Sequence, residues 1–286
     1  MKKLLLTLMT LLPLLAVEPV VTPKWLQANL SRVVVLDTSD PGIYVKGHIP
    51  GAINAPIHLW RERHGHYLLL IGDEKLQALI QNLGIDKDSH VVLYAHYTGK
   101  DLLKTSYVAW ALEYAGITKS SLLEGGFKAW KRAGYQVSHT SPKVSKSSFS
   151  ITPNTRLVAD KAYVRQSIGK ARMLDARPAV YYFGAKKQSV LARAGHIPKA
   201  TSYFWRYSFT DEKFKSKNTL KQMLIDGLEI EPKKEVITYC TGGLETSMNW
   251  FVLHRILNLP HVRLYDASMK EWANDPETPL VKYRWE

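Results

Sequence analysis

The chain repeats itself, and this repetition limits what it can fold into more than any other feature of the sequence. Matching segments occur in the same order in its two halves: VVVLDTSDPGIYVKGHIPGAINAP (33–56) with RMLDARPAV (172–180) and RAGHIPKATSY (193–203), HVVLYAHYTG (90–99) with EVITYCTGG (235–243), and SLLEGGFKAW (121–130) with VRLYDASMKEW (262–272). Ordered repetition of this kind indicates a duplicated domain, and a length of 286 residues suits two domains. We therefore predict domains at 17–139 and 156–286, joined by a linker at 140–155 that is rich in Ser and Pro.

Short apolar runs alternate with segments of helical spacing in both halves. The runs that predict buried strands are Val33–Leu36, Val91–Tyr94, Leu122–Leu123 and Val236–Tyr239. Apolar residues recur at helical spacing over 101–115, which ends at Gly116, and over 248–256. Strands that alternate with helices form parallel sheets covered by helices. The predicted fold class is therefore α/β, with one parallel sheet flanked by helices in each domain.

Cys240 is the only cysteine of the chain, and it lies directly after a predicted strand and shortly before Gly242 and Gly243. Ligands of open α/β sheets bind at the carboxyl ends of the strands. Glycines let a loop turn its amides toward one centre, and the helix start that follows adds a partial positive charge. This setting predicts a thiol with a lowered pKa, or a sulfur-bound anion such as a persulfide held by the amides. The alternative is an inert cysteine at the end of a core strand.

The first residues have the pattern of an export signal. Lys2 and Lys3 precede an uncharged, mostly apolar run from Leu4 to Val17. Its 14 residues fall short of the roughly 20 that a membrane-spanning helix needs. We predict a signal peptide at residues 1–16 and a periplasmic location, with an uncleaved membrane anchor as the alternative. A single cysteine in an exported chain cannot form an internal disulfide, so a reactive thiol is one of its expected roles.

Basic residues are in excess, with 39 Lys and Arg against 25 Asp and Glu and a net charge of +14. Such a surface binds nucleic acid or attracts small anions. The lysines are scattered, with no dense basic tract interleaved with aromatic residues. We therefore predict no nucleic-acid partner and no stable membrane partner, and leave the oligomeric state open.

Five motifs together resemble the tandem-domain rhodaneses, a family of sulfurtransferases: GHIPGAINAP, LDAR, GHIP, YCTGGLETS and LYDASMKEW. The resemblance covers the chain after the signal segment. It implies that the first domain is catalytically silent, with Ala95 at the position of Cys240. It also implies that Cys240 takes a sulfane sulfur from a small anionic donor, becomes a persulfide and passes the sulfur to a thiophilic acceptor. No metal or organic cofactor is implied.

The resemblance also implies which residues bind the substrate. The motif LDAR places Arg177 where the family holds the donor anion. The loop after the cysteine adds Thr241, Gly242, Gly243, Leu244, Glu245 and Thr246. A carboxylate that points into the pocket would oppose an anionic donor, so we expect Glu245 to point outward or to pair with a base.

The sequence constrains the identity of the donor and the kind of activity less than it constrains the family. The uncharged Thr241 and Gly242 are closer to the pattern of family members that use 3-mercaptopyruvate. Arg177 and the positive net charge favour thiosulfate, which we expect to be the better donor. Polysulfide as donor, and a non-enzymatic persulfide carrier that serves a partner protein, stay open. A Cys-loop phosphatase is disfavoured, because Leu244, Glu245 and Thr246 stand where an arginine would clamp phosphate.

Four further residues of the repeated motifs are expected to be structural. His48 and His196 each belong to a GHIP motif, and Asp37 and Asp175 each end a predicted strand. All four recur in both halves, including the half that lacks a cysteine.

Overall fold

The computed structural model describes residues 17–96 and 99–286, so the predicted signal peptide lies outside the described residues. The strands are β1 (Val20–Val21), β2 (Val34–Asp37), β3 (Ile53–Asn54), β4 (Arg61–His64), β5 (Tyr67–Leu70), β6 (Val91–Tyr94), β7 (Ser120–Leu123), β8 (Arg172–Asp175), β9 (Ala200–Ser202), β10 (Phe209–Thr210), β11 (Lys213–Phe214), β12 (Val236–Tyr239) and β13 (Val262–Leu264). The α-helices are α1 (Pro23–Asn29), α2 (Pro41–Tyr44), α3 (Asp73–Asn82), α4 (Leu102–Ala115), α5 (Gly126–Arg132), α6 (Lys161–Ser167), α7 (Ala179–Tyr182), α8 (Lys217–Lys221), α9 (Leu244–Trp250) and α10 (Ser268–Trp272).

Each half contains a parallel sheet. The strand order is β1-β7-β6-β2-β3 in the first sheet and β13-β12-β8-β9 in the second. The central strands β6 and β12 are buried along their whole length, as expected for apolar runs covered by helices on both faces. The predicted α/β fold with two parallel sheets is confirmed.

Four strands of the first sheet (β7-β6-β2-β3) match the four strands of the second in order, and equivalent positions make the same hydrogen bonds. Tyr94 ends β6 and Tyr239 ends β12, and their hydroxyls accept the backbone N–H of Ile49 and Ile197. In register, Tyr94 lies opposite Asp37 and Tyr239 lies opposite Asp175. The duplication seen in the sequence is thus a duplication of backbone geometry.

The two halves pack against each other through α4 and α9. Almost every side chain of α4 is buried, because one side covers the first sheet and another meets the second domain. The helix ends at Gly116 with φ of 103°, the left-handed conformation that a glycine permits. Apolar residues from both halves belong to one continuous core cluster.

The second helix is longer than α9 alone. A π-helix at Phe251–Ile256 continues α9, so the helical spacing predicted over 248–256 is present with a changed hydrogen-bond pattern. The segment 141–154 has no helix or strand. It lies on the first domain, where Gln81 donates to the Phe149 carbonyl and Phe149 is buried. Across 17–96 and 99–286, no helix is both long and apolar enough to cross a membrane.

Candidate active site

The end of β12 places Cys240 at the carboxyl edge of the second sheet, as predicted. The backbone N–H of Cys240 donates to the Ser268 hydroxyl at 3.1 Å, and its carbonyl accepts the N–H of Met269 at 3.1 Å. Ser268 begins α10, so that helix fixes the backbone on which the sulfur is carried. The cysteine is only 1% exposed.

The loop after Cys240 turns its amides toward the sulfur. The N–H of Gly242 donates to Sγ at 3.3 Å, and the backbone amides of Thr246 and Glu245 at the start of α9 also lower the pKa of the thiol. Three converging amides form an anion-binding nest around the sulfur. The loop therefore stabilises negative charge on Sγ, whether on a thiolate or on a persulfide.

The prediction that the thiol pKa is lowered is wrong for this structure. Burial and, next in size, the negative field of Glu245 raise the pKa of the Cys240 thiol to about 11, although the three amides lower it. Removing the sulfur from water disfavours its charged form. The amides therefore reduce the free-energy cost of forming the thiolate, but the pKa of the thiol still lies above its ordinary value.

Glu245 is placed differently from our expectation. Its side chain is partly buried, and no base among the described residues lies within ion-pair distance of it. Burial, followed by the negative field of Asp175, raises the pKa of Glu245 to about 7, while Lys100 and Arg177 lower it. The negative charge of this carboxyl group therefore bears on the sulfur without an ion-pair partner among the described residues to neutralise it.

Of the two glycines after Cys240, only Gly243 has a backbone conformation and surroundings that require glycine. Gly243 has φ of 91°, and a Cβ there would lie 2.0 Å from Asp266 Oδ1 and 2.8 Å from Arg61 Nη2. A Cβ on Gly242 would meet only the flexible side chain of Lys270, at 3.1 Å. Gly243 is therefore the position at which the loop tolerates no side chain.

The other loop residues hold the loop in place. The Thr241 hydroxyl donates to Gln188 Oε1 at 2.7 Å. The Thr246 hydroxyl donates to the Thr238 hydroxyl at 2.7 Å, which ties the start of α9 to β12. Leu244 packs against the apolar cluster that contains Cys240 and, from the first domain, Leu102 and Leu103. The site thus lies where the two domains meet.

Arg177 lies inside the second domain and is held by Asp175. Its Nε lies 2.9 Å from Oδ1 and its Nη2 lies 2.6 Å from Oδ2 of Asp175, and Nη2 also donates to the Gly195 carbonyl at 2.8 Å. Burial opposes its charge, but Asp175 outweighs burial and raises the pKa of Arg177. With 1% exposure, its first task is to neutralise a buried carboxylate. Its contact with a donor stays a prediction.

The first domain has a different group at the equivalent position. Ala95 follows β6 as Cys240 follows β12, and its carbonyl accepts the N–H of Phe127 as that of Cys240 accepts Met269. The next residue, His96, directs Nε2 to Asp37 Oδ2 at 2.9 Å. His96 therefore partners the strand-end carboxylate here, as Arg177 does in the second domain.

The two GHIP histidines occupy equivalent buried positions. His48 and His196 stack on Tyr44 and Tyr182, each with ring centroids 3.8 Å apart, and each directs Nδ1 to the carbonyl of its stacking tyrosine. These contacts hold the GHIP turn against the preceding short helix. Among the residues that the structure describes, no group of three or more His, Cys, Asp or Glu side chains is arranged to hold a metal ion.

Sequence reasoning missed Arg61 and Asp266. Arg61, on β4 of the first domain, reaches the loop that follows Cys240, and Asp266, just after β13, pairs with Arg61. The recurrence of LYDASMKEW contained a signal for Asp266, since it follows a repeated strand. The sequence around Arg61 reads as an ordinary charged surface segment and held no comparable signal.

Comparison of the sequence with known protein families also finds the same domain twice in this chain. The model of the rhodanese-like domain matches residues 22–133 and again residues 158–275. A protein of Synechococcus elongatus, provisionally assigned as a thiosulfate sulfurtransferase, is 32% identical over 267 residues, covering 88% of this chain and 82% of its own. The sulfur carrier protein TtuD of Thermus thermophilus is 30% identical over 285 residues, covering 93% of this chain and 97% of TtuD.

Solved structures show the same fold at lower identity. The crystal structure of YnjE superposes with a TM-score of 0.83 at 23% identity, covering 93% of this chain and 68% of that one. The wild-type structure of EanB gives a TM-score of 0.81 at 21% identity, with coverages of 92% and 69%. With two matched domains and relatives along nearly the full length, the chain belongs to the rhodanese family and carries two rhodanese-like domains in tandem.

Proposed function

We propose that Cys240 is the nucleophile and sulfur carrier of this protein, a sulfurtransferase that works through a persulfide. The observation that carries the assignment is the convergence of three loop amides on its sulfur at the carboxyl edge of the second sheet. Relatives at 30–32% identity bear the names thiosulfate sulfurtransferase and sulfur carrier protein, which support transfer of sulfur through such a site.

The reaction has two steps, each an exchange at one sulfur atom. The Cys240 thiolate attacks the outer, sulfane sulfur of the donor, so that an S–S bond to Sγ forms. The bond from that sulfur to the rest of the donor breaks, and its electron pair leaves with the donor remnant, which is sulfite when the donor is thiosulfate. An acceptor such as cyanide then attacks the terminal sulfur, the S–S bond breaks, and the thiolate returns. The amides on Sγ favour the anionic form at the start and the end of this cycle.

Thiosulfate is the donor that we propose to test first. A net charge of +14 favours the approach of an inorganic anion, and the Synechococcus relative carries the thiosulfate assignment. The ionised form of Glu245 opposes a dianion at the same site. A steady-state comparison of thiosulfate, 3-mercaptopyruvate and polysulfide, each with cyanide as acceptor, decides the question. A far higher kcat/KM for mercaptopyruvate would overturn the thiosulfate proposal and leave the sulfurtransferase assignment intact.

A persulfide carrier that serves a partner protein is the second candidate, and the name of the Thermus relative favours it. Many turnovers per chain with cyanide would identify an enzyme. A single stoichiometric transfer to a protein thiol, with no turnover on cyanide, would identify a carrier. Cys240→Ser is the matched control in both cases, because it removes the only thiol of the chain.

We also propose export, on the basis of Lys2, Lys3 and the apolar run that follows. Expression of the full-length chain in a bacterial host, followed by fractionation and amino-terminal sequencing, tests it. A shortened chain in the periplasm is expected. An uncut chain in the cytosol would contradict the proposal.

A further inference from the structure

The first domain reaches the active-site loop through a hairpin. Strands β4 and β5 pair antiparallel and form this hairpin, and both contact the second domain. The backbone N–H of Leu70 donates to Asp266 Oδ2 at 2.8 Å, and the Tyr67 hydroxyl donates to Glu271 Oε1 at 3.0 Å. The hairpin thereby holds the residues that follow β13, next to the loop that carries Cys240.

Arg61 lies at the centre of this contact and is almost fully buried, with 6% of its side chain exposed. Its Nη2 donates to the Leu68 carbonyl at 2.6 Å and to the Gly242 carbonyl at 2.8 Å, and pairs with Asp266 Oδ1 at 3.2 Å. The guanidinium also lies 4.7 Å from the ring centroid of Tyr107, whose hydroxyl donates to Asp266 Oδ2 at 2.6 Å. All three polar contacts are made by Nη2, while Nε is buried without a hydrogen-bond partner among the described residues, so the side chain is anchored at the end that reaches the second domain.

Gly242 links Arg61 to the reacting sulfur. Its carbonyl accepts from Arg61, while its own N–H donates to Cys240 Sγ at 3.3 Å. The two groups belong to adjacent peptide planes that meet at the Cα of Gly242, so holding the carbonyl restrains the N–H through the φ and ψ of this one residue, while Lys270 holds the carbonyl of Thr241 on the other side of that N–H. The neighbouring Gly243 leaves no room for the loop to retreat, since Arg61 and Asp266 occupy the space that a Cβ would need.

We propose that Arg61 is a positioning residue of the sulfur-transfer site: the first domain, although it lacks a cysteine, uses this side chain to hold the loop at Gly242 beside the sulfur and to place a cation near it. The inference builds on the proposed function of Cys240. It gives the first domain a defined part in the reactivity of that thiol, beyond covering the second domain.

Several charged groups bear on the sulfur, and their fields differ in sign. Arg61 from β4 and Arg177 from the segment after β8 favour a negative sulfur, and Glu245 from α9 disfavours it. Asp266, after β13, partly offsets the charge of Arg61. Loss of Arg61 leaves both negative groups in place and frees the Gly242 carbonyl. The sulfur then becomes harder to ionise.

The pH dependence of Cys240 alkylation by iodoacetamide tests this, because it reports thiolate formation without requiring sulfur transfer. In Arg61→Met, we expect the alkylation profile to move to higher pH, with a rate at pH 8 lower by about fivefold or more. Arg61→Lys keeps the charge but falls one bond short of the Gly242 carbonyl. It should move the profile in the same direction by less, and it decides the question by itself if Arg61→Met does not fold.

The matched control is Glu113→Gln, which weakens a second buried charge contact between the domains. Glu113 on α4 pairs with His254 at 2.6 Å and with Arg255 at 2.5 Å. It lies about 16 Å along α4 from Leu102, the end of that helix next to Cys240. This variant should lower the melting temperature and leave the alkylation profile unchanged. An unshifted profile in the Arg61 variants, or an equal shift in Glu113→Gln, would overturn the inference. If the profile shifts as expected but no donor yields a persulfide, the proposed function fails and the positioning role stands.

Discussion

At the scale of single residues, opposing charges around one buried sulfur decide how reactive this site is. The loop amides favour a negative sulfur, whereas burial and Glu245 disfavour it, and the balance leaves the thiol pKa near 11. Since the thiolate is the reactive form, each group that shifts this balance also changes the rate at which Cys240 reacts. Glu245 is the group whose own charge changes near neutral pH, because its pKa is about 7.

Replacing Glu245 by Gln should make Cys240 more reactive above pH 7. Below pH 7 the carboxyl group of the native protein is mostly neutral, so the native protein and the variant should react alike. Above pH 7 the native carboxylate repels both the thiolate and an anionic donor, whereas the amide of the variant does not. We expect a faster alkylation rate and a lower KM for thiosulfate at pH 8 in the variant. Equal pH profiles for the two proteins would contradict this.

The same carboxyl should make folding stability depend on pH. A carboxyl whose pKa is raised in the folded state contributes stability that is present below its unfolded pKa of about 4.5 and is lost as pH rises through about 7. Glu245→Gln should remove this loss and gain about 1–3 kcal/mol at pH 8 relative to pH 5. Urea unfolding at the two pH values measures it, and a native protein as stable at pH 8 as its variant would count against the placement of this group.

Replacing Arg177 by Ala should destabilise the second domain first. The change leaves the buried carboxylate of Asp175 without its ion-pair partner, which typically costs about 3–5 kcal/mol. Urea unfolding of Arg177→Ala against the exposed Lys186→Ala measures the cost. If Arg177→Ala folds normally and only the KM for the donor rises, Arg177 binds the donor as the sequence resemblance implied.

At the scale of elements, the loop between β12 and α9 determines the geometry of the site. It is four residues of backbone, 240–243, with one required positive φ, fixed on one side by β12 and on the other by the hairpin of the first domain. Such a loop holds its amides in place before any donor arrives.

The two loop glycines provide a matched pair of substitutions. Gly243→Ala places a Cβ against Asp266 and Arg61 at a positive φ, so it should lose about 2 kcal/mol or more of stability and most of the activity. Gly242→Ala meets only the side chain of Lys270, which can move, and should stay close to the native protein in both respects. Thermal melting and turnover of the two variants check this, and equal losses would show that the close contacts at Gly243 do not matter.

The central elements were predictable from the sequence because local pattern and fold agree there. Val91–Tyr94 and Val236–Tyr239 are strands over the predicted residues, since β-branched runs suit buried parallel strands. The hairpin β4–β5 was not predicted, because its first strand, Arg61–His64, is wholly polar and charged. The orientation of Glu245 and the role of Arg61 depend on packing between distant parts of the chain, which local spacing does not encode.

At the scale of the whole molecule, the two domains complete each other at the site. Leu102 and Leu103 pack beside Cys240, the Ser106 and Ser247 hydroxyls lie 2.8 Å apart across the α4–α9 contact, and Arg61 holds the loop. The first domain is thus part of the surroundings of the sulfur, even though Ala95 provides no thiol there.

Residues 156–286 expressed alone should therefore lose activity or solubility. The fragment exposes the buried face of α9 and leaves Asp266 without Arg61 and Tyr107. Turnover and sedimentation of the fragment, compared with the full chain, check this. A soluble fragment with full activity would show that the first domain is dispensable.

The central claim is that sulfur passes through Cys240, and intact-mass analysis after incubation with thiosulfate tests it most directly. The native protein should gain one sulfur atom, located by peptide mapping on the segment that contains Cys240, and should lose it again on addition of cyanide. Cys240→Ser should gain none. A mass gain on another residue, or sulfur transfer by Cys240→Ser at the native rate, would contradict the account.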